Sequence, residues 1–269
     1  MGKEQQIIRD RLQRLIKGIK KANYKNSDAK YMAQRAEERI NELQKSGVKC
    51  LDRFVQKLLH GIVGKEDYLD ILMEGRFAII LARNKFSDIE IEYCDRGPDL
   101  KARWNRKTVY FEVTRKRPSE DYERFSHPGA GPYWIKPAES QDIVGKIQSK
   151  LHQLKPGETN VVVLWSDTPE WSERVLEEAA KYIQQEINQI PEMYKKLSGV
   201  LFTESGGVSY ERLTPFCLFR NDKASKILGP RLARKLESLY ERSPKQLKKE
   251  FEDLADAVQR LRSSNPPTP

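Results

Sequence analysis

Cysteine is scarce and unclustered in this chain of 269 residues: Cys50, Cys94 and Cys217 lie far apart with no CxxC spacing. That argues against both a zinc cluster and a disulfide framework, and it predicts reduced, partly buried thiols. Long apolar runs are also missing, and the mean hydropathy is −0.74. Met1 to Arg14 is charged and polar, without the apolar stretch of a signal peptide, so the expectation is a soluble, cytoplasmic protein with no membrane association. Gly129-Ala130-Gly131 lacks a downstream Gly-Lys-Ser/Thr and is no phosphate loop. His127 is too solitary to assign as a base or ligand, and no internal repeat is visible.

Positive charge is what the chain has in excess. Lys and Arg number 49 against 39 Asp and Glu, giving a formal charge of +10 and a pI near 9.3. Such a surface favours a polyanion, with phosphate contacts dominating a salt-sensitive affinity. The length fits one large domain with additions or two modest ones.

Apolar spacing divides the chain into segments. Ile7, Ile8, Leu12, Leu15, Ile16 and Ile19 share one helical face, Asn26-Ser27-Asp28 punctuates, and further helices are expected over Ala29 to Gln44 and Val48 to Leu59. Tyr68 to Ala82 reads as a helix carrying Glu74. Ile89, Ile91 and Tyr93 alternate with acidic residues. After the Gly97-Pro98 turn, Leu100 to Trp104 and Lys107 to Thr114 alternate again, as in a strand meander. Ser140 to Leu154 has an apolar stripe of Ile143, Ile147, Leu151 and Leu154. Asn160 to Trp165 is the continuous apolar run of a strand covered on both faces. A helix to Gln189, strands at Gly199 to Phe202 and Leu213 to Phe219, and a charged helical segment from Ala224 to Arg262 follow. The expected organisation is a helical extension over 1–64, an α/β core over 65–220, a helical segment over 221–262 and a disordered Ser/Pro-rich tail over 263–269.

The chemistry-bearing stretch is Gly97-Pro98-Asp99 followed by Val109-Tyr110-Phe111-Glu112-Val113-Thr114. Strand alternation puts Val109, Phe111 and Val113 on one face and Tyr110, Glu112 and Thr114 on the other. Asp99 and Glu112 can therefore meet as two carboxylates at one metal site. Lys101 and Arg103 follow Asp99 at period two and share its strand face. Between the site strand and the next helix, Tyr122, Phe125, Tyr133 and Trp134 lie among glycines and prolines beside Arg115, Lys116 and Arg117. The aromatics can stack on unpaired bases, as in single-strand binders, or pack on the core.

The order turn, Pro-Asp, strand, Glu-x-(Lys or similar) resembles the PD-(D/E)XK nuclease superfamily, and helix, strands, helix, strand across the middle of the chain is similar to its core order. The resemblance implies an α/β restriction-endonuclease-like fold, a mixed sheet flanked by helices, with helical N- and C-terminal extensions. It implies Mg²⁺ or Mn²⁺ held by Asp99, Glu112 and the Val113 carbonyl, with Glu74 as a further acidic residue and Gln141 and Gln153 as outer groups. Thr114 stands where the superfamily has its lysine. Members that have moved this lysine to the following helix make Lys146 the first candidate and Lys150 the next; Lys101 and Arg103 are the alternative. The implied activity is a metal-dependent endonuclease acting on DNA rather than RNA, with Lys101, Arg103, Arg115, Lys116, Tyr133 and Trp134 contacting nucleic acid. The competing expectations are a non-catalytic nucleic-acid or protein-interaction module that keeps the fold, and a homodimer or protein partner engaged through the helical extensions.

Overall fold

The computed structural model describes residues 3–21, 26–61, 65–92, 97–116, 140–166, 173–204 and 216–240. Tyr133, Trp134 and the rest of the aromatic loop lie outside them, as do the expected tail and most of the C-terminal charged segment. Four helices come first: α1 (Lys3–Lys21), α2 (Asn26–Lys45), α3 (Leu51–Gly61) and α4 (Lys65–Arg83). β1 (Ser87–Ile91), β2 (Leu100–Trp104) and β3 (Lys107–Lys116) form the meander. α5 (Ser140–Gln148) and a single 3₁₀ turn over Leu151–Gln153 lead to β4 (Asn160–Ser166). Then come α6 (Glu173–Gln189), α7 (Pro191–Tyr194), β5 (Gly199–Glu204), β6 (Phe216–Arg220) and α8 (Pro230–Glu237).

The six strands lie in chain order in one mixed sheet. β1, β2 and β3 are antiparallel, β3, β4 and β5 are parallel, and β6 returns antiparallel on β5. Two α-containing crossovers, through α5 and α6, produce the parallel pairs, as chain geometry demands. Val161, Val163, Trp165 and Leu201 bury against the layer made by α1 to α4 and α8. Val162, Leu164, Val200 and Phe202 bury against α5 and α6. The continuous apolar run of β4 thus reflects a strand covered on both faces.

One apolar core extends from Ile8 and Leu15 of α1 through α2, α3 and α4 to Phe111 and Val113. α4 lies between the sheet and the outer helices α2 and α3. Consecutive residues Phe77, Ala78, Ile79, Ile80 and Leu81 are all buried as a result. The Phe77 and Phe111 rings meet edge to face at 5.3 Å, an arrangement contributing about 1 kcal/mol beyond area burial. Among the described residues no helix is long and apolar enough to cross a membrane.

The helix expected over Ser140 to Leu154 ends early. The Ser149 hydroxyl donates to the Lys146 carbonyl at 2.7 Å, and the Lys150 N–H bonds back only three residues, to Ile147, at 2.9 Å. The chain tightens into the 3₁₀ turn there. Leu151 and Leu154 still reach the core, while Lys150 leaves the helix surface and turns toward the sheet.

Candidate active site

The meander's register builds an acidic row. Ile91 is opposite Leu100, and Leu100 is opposite Phe111. One residue further out stand Glu92, Asp99 and Glu112. The Glu92 N–H donates to the Asp99 carbonyl at 2.8 Å, and the Val113 N–H donates to Asp99 Oδ2 at 2.8 Å. Gly97 enters this turn at φ 149°, in the positive half of φ that glycine occupies readily. Glu92 itself is left-handed, at φ 51°, a conformation that costs a side-chain-bearing residue about 1 kcal/mol or more and concentrates at functional sites.

Two N-terminal helices close over the row. Backbone bonds from Lys49 to Ile89 and from Ile91 back to Lys49, at 2.9 and 3.2 Å, tie the chain entering α3 to the edge strand β1. α3 buries Leu51, Phe54, Val55 and Leu58, which leaves Lys57 beside the sheet end. Lys57 Nζ donates to Glu74 Oε1 and Oε2 at 2.9 and 2.8 Å, to Glu92 Oε1 at 2.6 Å and to Asp99 Oδ1 at 3.1 Å. Ligand oxygens of Glu74, Glu92 and Asp99 all lie within 4.8 Å of one another, a spacing that can hold a metal ion. Glu74 arrives from the apolar helix α4 and is 5% exposed.

Glu112 has no solvent exposure. Alternation turns it away from Phe111 and Val113, toward the α5 layer. Lys150 Nζ donates to its Oε1 at 2.7 Å. With its amide nitrogen facing the carboxylate, Gln153 donates to both oxygens, at 2.9 and 3.0 Å.

Four carboxylates therefore face two ammonium groups. Burial, and then the nearby Asp99 charge, push the Glu112 carboxyl up to about 8. The same two causes hold Glu74 well above the usual carboxylate range. Burial opposes the charge of Lys57, but Asp99, Glu74 and Glu92 together outweigh it and raise its pKa. Lys150 is likewise raised, its burial outweighed chiefly by Glu112. The cluster favours added positive charge, whether protons or a cation.

Of the residues singled out from sequence, the structure brings together Asp99, Glu112, Glu74, Lys150 and Gln153. Thr114 is buried two residues from Glu112 on the same strand. Lys146 is half-buried on α5, one turn before Lys150, and Gln141 is exposed at the start of that helix. Lys101 pairs with Glu90 at 3.2 Å and Arg103 with Asp88 at 3.2 Å. Arg115 is buried against Asp70 of α4 at 2.6 Å, and Lys116 pairs with Asp142 at 3.1 Å. Lys57 and Glu92 were not foreseen. Glu92 continues the acidic alternation of β1, a signal that pointed to it; Lys57 resembles any lysine on an amphipathic helix.

A cleft of about 630 Å³ opens onto this cluster, lined by Lys57, Glu92 and Asp99 and by His152, Gln153, Lys155 and Lys196. Comparison with known proteins finds no matching family model, no matching curated protein and no matching solved structure.

Proposed function

We propose that the protein is a metal-dependent nuclease of the PD-(D/E)XK type, hydrolysing phosphodiester bonds, in DNA more than in RNA. The observation that carries this reading is the convergence of Glu74, Glu92 and Asp99 within 4.8 Å, with Glu112 and Lys150 adjoining and a cleft giving access. Preference for DNA and the restriction-endonuclease-like character of the fold follow from the sequence resemblance.

The donor set fits a hard divalent cation. All candidate ligands are oxygens, as Mg²⁺ and Mn²⁺ prefer, and the buried carboxylates lack two positive charges. Each ionised carboxylate offers about four lone-pair sites, so the contacts to Lys57 and Lys150 leave acceptor capacity. Asp99 would hold the ion together with Glu74 and Glu92, whose oxygens stand at ligand spacing, and the resemblance adds Glu112 and the Val113 carbonyl. Bound there, it would neutralise phosphate charge and supply a water of lowered pKa.

The chain's own groups do the rest. Lys150, fixed against Glu112, carries the ammonium that Thr114 cannot provide and offsets charge developing on the phosphate. Lys57 keeps three mutually repelling carboxylates at ligand spacing. Gln153 orients Glu112. A second reading, a non-catalytic module retaining a nuclease-like fold, is favoured by one observation: the four contacts of Lys57 already make the acidic cluster an internal ion-pair network.

Cleavage of labelled single- and double-stranded DNA and RNA, with Mg²⁺ or Mn²⁺ and with EDTA, separates the two. Metal-dependent cleavage is expected, falling about 100-fold or more in Asp99→Ala and Glu112→Ala, the scale of losing one stabilising group in a preorganised site. Salt-dependent binding should persist in both variants. Undiminished cleavage by Glu112→Ala would sink the assigned site, and binding without cleavage on any substrate would favour the second reading.

A further inference from the structure

The ammonium groups inside the cluster, Lys57 and Lys150, are held by carboxylates. The same cleft is also lined by the basic residues His152, Lys155 and Lys196. They come from two separate turns, one entering β4 and one between α7 and β5. A single carboxamide joins those turns. Asn160, fully buried, accepts from the Lys155 N–H at 3.1 Å and donates to the carbonyls of Lys155, Glu158 and Lys196 at 2.7, 3.1 and 2.9 Å. Its own N–H donates to Ser198 Oγ at 3.0 Å. Polar groups satisfied this completely in the interior fix a local geometry.

Lys155 is also placed by its side chain. Its Nζ lies 4.8 Å from the centroid of the Tyr110 ring, a cation–π contact. Tyr110 and Glu112 are two residues apart on one face of β3, one strand repeat of about 7 Å. The rim therefore adjoins the carboxylates without sharing their position.

We infer that Lys155 and Lys196, whose turns Asn160 joins, form with His152 a phosphate-binding rim for a nucleic-acid strand. The rim holds the phosphate next to the one presented to the carboxylates, and so sets the register of the strand in the cleft. What it aligns the strand with rests on the nuclease reading, but the rim's own binding does not require cleavage. Ammonium groups and hydrogen-bond donors around a groove track a phosphodiester backbone without reading sequence.

The test is fluorescence anisotropy of labelled DNA and RNA oligonucleotides with the full chain in EDTA, across a salt series. The Lys155→Ala/Lys196→Ala double variant is compared with Lys181→Ala/Lys226→Ala, which removes equal charge from exposed positions outside the cleft. The rim variant should bind at least tenfold more weakly at low salt. Its slope of log affinity against log salt should shrink by about 1.4 on a single strand, the value for two lost phosphate contacts. The control pair should match wild type, and both variants should melt as wild type does. Equal losses in rim and control variants, or no oligonucleotide binding by wild type, would overturn the rim. Rim-dependent binding without metal-dependent cleavage would support the rim while sinking the nuclease reading. Cleavage with affinity unchanged in the rim variant would do the reverse.

Discussion

The two ammonium groups of the cluster solve different problems. Lys57 serves three carboxylates, one in α4, one just after β1 and one just before β2, whereas Lys150 serves one, Glu112, which a glutamine also contacts. The Lys57 half joins the N-terminal helices to the sheet edge, and the Lys150 half stays within the β3, α5 and β4 layer. Losing the hub of a buried charge network leaves Glu92 and Asp99 without their cation at once, even where Glu74 takes up a proton. Losing a partner of one protonatable carboxylate strands none if that carboxylate takes up a proton. A site can thus combine a scaffold half and a responsive half built from the same chemistry.

The sharpest way to break this contrast is Lys57→Ala. In EDTA it should lower stability by about 3 kcal/mol, the low end for breaking a buried ion pair, because the Lys57 side chain is 34% exposed. Mg²⁺ or Mn²⁺ should restore much of the loss. Urea denaturation with and without metal measures both, and a change under 1 kcal/mol would mean the carboxylates are not stranded. Lys150→Met should cost less, about 1 kcal/mol, since Glu112 with a pKa near 8 is largely protonated at neutral pH once its cation is gone. The same variant should lose cleavage out of proportion to stability. A stability loss equal to that of Lys57→Ala would erase the distinction.

The smallest effect is the pH dependence of the metal-free protein. Glu112 is raised to about 8 in the folded state, so between about pH 4.5 and 8 it holds a proton that the unfolded chain has released, and Glu74 is shifted in the same direction. The Glu112 contribution to stability is full below about pH 4.5 and is lost as pH rises through about 8. Melting temperature in EDTA should fall across that window. Glu112→Gln should flatten the fall, and saturating Mg²⁺ should cancel it by favouring the ionised carboxylates. A melting temperature that rises from pH 5 to 8 in EDTA would contradict the assigned shifts.

Much of the architecture was legible because burial writes itself into periodicity. The alternation of β3, the two-faced apolar run of β4 and the stripe of α1 each correspond to an element in place. Glu74 was visible as a carboxylate among Ile71, Leu72, Met73 and Phe77 of an apolar helix, with Arg76 and Arg83 close enough in sequence to pair with it on the helix surface. In the fold Arg76 lies over the Trp165 ring and Arg83 pairs with Glu42. On a continuous helix Lys146 was the first candidate and Lys150, one turn further, the next. The early end of α5 at Gln148 separated them and delivered Lys150 to Glu112.

The sequence by itself determined the α/β order, the turn that presents Asp99 and the strand face that carries Glu112, because these depend on residues near one another along the chain. Tertiary structure alone decided that Lys57 is the hub of the acidic cluster, that Arg115 is internal, and that Asn160 ties Lys155 to Lys196. Each of those depends on groups 5 to 45 residues apart. Local pattern can mark a side chain as charged and its face as buried, but the charge it meets there is set by how helices and strands pack.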